Sequence, residues 1–318
     1  MPETTWTLLT APTQGAIAIV QLSGDVAKSL AQLTTTTNWK AGELRLVTIP
    51  NIDEAVAVLI NEHLAHIMPH GGVHILRKLA NRFEELGITK TDDPQFPEAK
   101  DDIEAATLHT LSIAKSPLAV ELLLSQPKKL RGRTPTQKDL ERSNTLNHLI
   151  VPPKVVLLGA PNTGKSTLMN ALTKQDTSIV HDLPGATRDA VGARINCSGL
   201  VIDIYDLPGF RDSDDPIEQE AIQLAKKIAS EASLTILIAD SKHDFFETNI
   251  NAIRVATKSD IQNHHDADVC VSAHSGENMQ ELAIAIRDAI IPPEVLESDE
   301  PWFFYSPTEE KPQSTYKT

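Results

Sequence analysis

The sequence predicts an α/β fold over residues 151 to 292: a mostly parallel sheet covered by helices on both faces. A small α/β unit and a short helical segment precede it. Three observations carry this. Apolar runs near 155–158, 192–197, 200–205, 234–240, 252–257 and 269–273 alternate with helical spacing near 165–174, 217–231 and 279–290, the pattern that gives parallel sheets. The run Val155 to Gly159 leads straight into G-x-x-x-x-G-K-S and a helix. Cys197-Ser198-Gly199-Leu200 joins two strand-like runs as a hairpin, so one edge strand is antiparallel.

The elements follow in order. Residues 1–88 hold a strand at Ala16 to Leu22, a helix at Gly24 to Leu33, a strand at Ala55 to Ile60, and a helix at Val73 to Leu86. In residues 89–150 a polar stretch, Lys90 to Lys100, gives way to an amphipathic helix, Ile103 to Leu124, interrupted or kinked near Pro117. Pro127 to Arg142 is the most basic stretch, read as a solvated linker, with RNA phosphate contact as the sharper alternative. Residues 293–318 are rich in Pro, Glu, Ser and Thr and read as a disordered or docking tail.

Composition bounds the chemistry. The 318 residues carry a net charge of −14 and are 41% hydrophobic, which argues against a non-specific coat on nucleic acid. Two cysteines, Cys197 and Cys270, fall in predicted strands, so reduced thiols and a cytoplasmic setting are expected. No apolar run reaches the roughly 18 residues of a membrane span. His66, His70 and His74 share i, i+4 spacing, but Gly71-Gly72 breaks any helix that would make them a metal face.

The chemistry sits between residues 155 and 273. Gly159, Asn162, Thr163, Gly164, Lys165, Ser166 and Thr167 form a phosphate loop. Its backbone N–H groups and the following helix N-terminus face an anion, Lys165 reaches the β- and γ-phosphates, and the Ser166 hydroxyl ligates Mg²⁺. Thr187, in Pro184 to Asp189, offers a second Mg²⁺ hydroxyl. Asp206 ends a strand where a carboxylate holds the metal's water, and Gly209 offers an N–H to the γ-phosphate. Thr257-Lys258-Ser259-Asp260 places Asp260 to accept from guanine N1–H and N2–H, a donor pair adenine lacks, and Ser272-Ala273 offers an N–H to O6. These five elements in this order point to GTP or GDP bound in a Ras-like P-loop GTPase domain.

The motifs Gly159 to Ser166 and Ile179 to Asp189 resemble those of the MnmE/TrmE family of tRNA-modification GTPases. Thr10 to Gly24 is similar to that family's N-terminal start, Pro69 to Val73 to its G-H-G-G segment, and Asp102 to Leu123 to the first helix of its helical domain. The resemblance implies a GTP-hydrolysing enzyme stimulated by K⁺, with Asn162 and the carbonyls of His181 and Leu183 as K⁺ ligands. By spacing it puts the family's catalytic carboxylate on Glu218; read from the residues alone, Glu218 is equally a first-turn glutamate favouring a helix N-terminus. It also implies a homodimer, tRNA wobble-uridine modification and an FAD-dependent, MnmG-like partner.

The departures carry their own expectations. Ala186, Pro208 and Thr257 stand where the family has Thr, Ala and Asn, and Lys242 to Asn251 is short for a helix. Two arginines of the formyl-tetrahydrofolate site fall on Gln14 and Gln21, and no C-I-G-K motif is present. Folate binding is therefore doubtful. A guanine-nucleotide switch or scaffold without modification chemistry is the second reading, and a ribosome-assembly type of GTPase the third.

Overall fold

The computed structural model describes residues 3–10, 15–175, 191–207, 230–245 and 251–304. They fall into two compact units, Met1–Ile113 and Ala114–Thr318, each built on its own six-stranded sheet.

The first unit orders its strands β3-β4-β5-β2-β1-β6: β1 (Thr5–Leu8), β2 (Val20–Ser23), β3 (Leu44–Ile49), β4 (Asp53–Asn61), β5 (Leu64–Met68) and β6 (Thr89–Lys90). In β4, Ala55, Ala57 and Leu59 are buried while Glu54 and Val56 are exposed, the two-residue period of a sheet with one covered face. Helices α1 (Val26–Leu33) and α2 (Val73–Glu85) belong to that core through Val26, Leu30 and Leu33 and through Leu79 and Phe83, residues spaced three or four apart. Helix α3 (Asp102–Ile113) closes the unit. The sequence reading lacked β1, β3, β5 and β6. In β3 the apolar Leu44 and Leu46 are exposed while Val47 and Ile49 are buried, so hydrophobicity does not mark which face turns inward.

The helix expected over Ile103 to Leu124 is interrupted at Pro117, not merely kinked. Helix α3 ends at Ile113 and α4 (Leu118–Leu130) begins after Pro117. Proline has no N–H to continue the ladder and drives the residue before it out of the helical region. That residue, Ser116, is buried; its N–H donates to the Leu149 carbonyl (3.0 Å) and its hydroxyl accepts from Val201 N–H (2.9 Å). Nor is Pro127 to Arg142 a linker. Helix α4 runs through Pro127, and α5 (Gln137–Leu146) opens with a reciprocal capping box between Thr136 and Asp139.

The second unit orders its strands β12-β11-β10-β7-β9-β8: β7 (Lys154–Gly159), β8 (Val191–Cys197), β9 (Leu200–Asp206), β10 (Leu234–Ala239), β11 (Ala252–Ala256) and β12 (Val269–Cys270). All pairs are parallel except β8 with β9, the expected antiparallel edge. Ser198 (φ 49°) and Gly199 (φ 93°) make its turn, both left-handed as a two-residue type I′ hairpin requires. All six residues of β10 are buried, the mark of a strand covered on both faces. Helix α6 (Lys165–Gln175) follows β7; α7 (Met279–Ile290) buries the stripe Met279, Leu282, Ala283, Ile286 and Ile290.

After the short α8 (Pro293–Leu296) the chain returns to α4 and α5. Trp302 is buried, its backbone N–H donating to Gln126 Oε1 (2.7 Å) and its indole N–H to Asn147 Oδ1 (3.0 Å). Phe303 N–H donates to the Ser143 hydroxyl (2.9 Å). Residues 301–303 are thus docked, as the second of the two readings of this tail has it. No helix among the described residues is long and apolar enough to cross a membrane.

Candidate nucleotide-binding site

Strand β7 is the point where the sheet's order reverses, with β9 on one side and β10 on the other. Ligands of open α/β sheets bind at the carboxyl ends of strands beside such a point. Each described residue read as a ligand lies on a loop leaving the carboxyl end of β7, β9, β11 or β12, or at the start of α6.

The phosphate loop leaves β7 at Gly159. A Cβ there would lie 2.3 Å from the Ile238 carbonyl of β10, so only glycine lets the loop start this close to the neighbouring strand. Asn162 (φ 64°) and Gly164 (φ 94°) are left-handed, alternation that turns successive N–H groups to one side as an anion-binding nest. Thr163 is buried and donates its hydroxyl to the Ala160 carbonyl (2.8 Å). The Lys165 ammonium lies over the loop, 3.0 Å from the Gly159 carbonyl and 3.1 Å from that of Ala160. Ser166 and Thr167 are exposed in the first turn of α6.

Ser166 Oγ lies 2.5 Å from Asp206 Oδ2 at the end of β9. Two oxygen donors from distant segments thus converge beside the phosphate loop, the hard-ligand chemistry that suits Mg²⁺.

The opposite rim is built by residues 257–260. The Thr257 side chain is buried, and its hydroxyl donates to the Thr163 carbonyl, with the Ala239 carbonyl at 3.2 Å. Lys258 donates to the Asn162 carbonyl (2.9 Å) and to Asp240 Oδ2 (2.6 Å). The Ser259 N–H donates to the Val271 carbonyl (3.1 Å), tying this loop to the one carrying Ser272 and Ala273. Ser272 N–H is engaged by the Glu277 carbonyl (3.2 Å). Asp260 is exposed at this rim.

Asp240 and His243 escaped the sequence reading. Asp240 is buried at the end of β10 and receives Lys258, His243 Nδ1 (2.6 Å) and the Lys242 N–H (3.0 Å). Burial raises its pKa, but the hydrogen bonds from Lys258, His243 and the Lys242 backbone outweigh it and hold the carboxyl far below the usual range. A signal was available: a carboxylate closing a strand that is apolar at every position but Thr235. Gly209, Thr187, Glu218, His181 and Leu183 lie outside the described residues.

In the first unit the histidines do not converge on a metal. His66 pairs with Gln21 (3.0 Å), while His70 pairs with Asp53 (2.8 Å). Gln21 is buried, accepting from Gln95 N–H (2.6 Å) and donating to the Gln95 carbonyl (2.8 Å).

The family described as 50S ribosome-binding GTPase matches residues 154–273. The tRNA modification GTPase MnmE of Acidiphilium cryptum is 41% identical over 139 residues, 42% of this chain and 32% of the relative. MnmE of Neisseria gonorrhoeae is 25% identical over 356 aligned positions, 86% of this chain and 79% of the relative. The chain is similar to MnmE in sequence. The chain spans about a third of the first curated relatives it matches. Among solved structures, Aquifex aeolicus Era bound to GDP·AlF4⁻ is 26% identical, covering 43% of this chain and 56% of its own, with a TM-score of 0.34.

Proposed function

We infer that this MnmE-like chain binds GTP and GDP with Mg²⁺ and hydrolyses GTP with K⁺ stimulation. The single observation behind this reading is the Ser166–Asp206 pair at 2.5 Å, set beside a phosphate loop that Thr257 and Lys258 tie to the base rim. Ser166 and Asp206 hold Mg²⁺, with Thr187 as a further ligand. The metal supplies charge neutralisation between the β- and γ-phosphates. Lys165 and the loop N–H groups bind the phosphates, and Gly209 reports on the γ-phosphate. Asp260 and the Ala273 N–H select guanine. Glu218 orients the attacking water. Asn162, with the carbonyls of His181 and Leu183, holds K⁺ where charge develops. At the level of the whole protein we propose a homodimer acting in tRNA wobble-uridine modification with an MnmG-like partner, in the cytoplasm.

One observation favours a second reading, a guanine-nucleotide switch or scaffold. Gln21, where the family's folate site has arginine, spends its amide on His66 and Gln95, so formyl-tetrahydrofolate binding is not proposed. GTP hydrolysis in K⁺ against Na⁺ at equal ionic strength separates the two. Strong K⁺ stimulation supports the enzyme; slow, cation-indifferent turnover with GDP retained supports the switch.

A further inference from the structure

The loop between β11 and β12 carries a constellation the nucleotide chemistry does not use. His264, His265 and Asp266 each present one ligand atom, and these lie within 4.8 Å of one another. His265 Nε2 is already 3.2 Å from Asp266 Oδ2. The two imidazole rings stack with planes 4° apart and centroids at 5.3 Å, and Phe245 meets the His264 ring edge-on at 4.9 Å. That contact restrains the His264 ring. The loop is pinned beyond the cluster: Asp268 Oδ2 accepts from Arg254 N–H (2.7 Å), its own N–H donates to the Arg254 carbonyl (2.8 Å), and Cys270 Sγ is 3.6 Å from the His264 carbonyl.

The geometry points to a binding site for a borderline transition-metal cation of the Zn²⁺ class at His264, His265 and Asp266. Two imidazoles and a carboxylate are the donors such cations prefer over Mg²⁺ or Ca²⁺. Ligand bonds of about 2.0–2.2 Å in a tetrahedron put donor atoms roughly 3.4 Å apart, a contraction that rotations of exposed side chains can supply. His265 and Asp266 are exposed, so solvent can fill the fourth position. The proposal does not rest on the nucleotide reading, because none of the three residues belongs to it.

The test is calorimetric titration of the chelator-treated, full-length protein with ZnCl2, paired with the visible spectrum of added Co²⁺. One Zn²⁺ per chain is expected, resisting displacement by excess Mg²⁺. The double variant His264→Asn/His265→Asn should lose affinity at least tenfold and Asp266→Asn severalfold, whereas His74→Asn, on α2, should bind as the wild type does. Absence of saturable binding, or undiminished affinity in the double variant with unchanged circular dichroism, would overturn the site. Displacement by Mg²⁺ at comparable concentration would overturn its cation class.

Discussion

The buried hydroxyl of Thr257 donates to the backbone carbonyl of Thr163, 94 residues earlier, and so fastens the loop of residues 257–260 to the phosphate loop. Thr163 is itself buried and bonded to Ala160. Replacing Thr257 by valine keeps the volume and leaves that carbonyl without its donor, at a cost of about 1–3 kcal/mol. Thermal unfolding should show the loss, and GDP affinity should fall with it. A variant with wild-type melting and affinity would mean that Thr257 does not position the loop.

Asp240 makes the same unit sensitive to acid. Its folded-state pKa is depressed, so its contribution is complete above the ordinary carboxylate range, near pH 4. That stability is lost as pH falls below it toward the folded value. Asp240→Asn should lower stability at pH 7 by about 1–3 kcal/mol, the scale of hydrogen bonds to a charged group. It should also flatten the decline between about pH 5 and 3, measured by urea unfolding across that range. An unchanged acid slope would exclude Asp240 as its source.

The Ser166–Asp206 pair sets a prediction for Mg²⁺. Ser166→Ala removes one of two converging oxygens and should weaken GTP binding in Mg²⁺ about tenfold, near 1.4 kcal/mol. Binding measured in EDTA should change far less. Equal losses in both media would assign Ser166 to the loop fold.

Two variants address turnover. Asn162→Ala should abolish K⁺ stimulation of hydrolysis with GDP affinity nearly unchanged, since the Asn162 contact to Lys258 is made by its carbonyl and not its side chain. Glu218→Ala should lower kcat without weakening GTP binding; unchanged kcat would make it a helix-start glutamate. Combined loss of K⁺ response and GDP affinity in Asn162→Ala would remove it from the K⁺ site.

Trp302 tests the docked segment. It is among the largest fully buried side chains, and its N–H groups are taken by Gln126 and Asn147. Trp302→Ala should cost about 3–5 kcal/mol, read by denaturant unfolding. A loss below about 1 kcal/mol would show that residues 301–303 do not stabilise the helices they cover.

The strand, loop and helix that carry the phosphate-loop motif were legible in the sequence because their parts are local. A phosphate loop needs its glycines, lysine and serine within eight positions, and parallel strands buried on both faces announce themselves as apolar runs such as Leu234 to Ala239. Strands β1, β3, β5 and β6 were not legible. Strand identity there depends on pairing partners, and Leu44 and Leu46 are apolar residues that face water.

By itself, then, the sequence determined the strand–loop–helix chemistry, the antiparallel hairpin at Ser198-Gly199 and the order of the nucleotide motifs, all set by neighbours along the chain. Tertiary structure decided the rest. Residues 94, 96 and 155 positions apart had to meet before Thr257 could hold Thr163, Lys258 could hold Asn162, or Trp302 could settle beside Asn147. Such contacts follow from where the sheet and helices bring distant backbone together, and a hydroxyl or an indole in isolation carries no mark of the partner it will find.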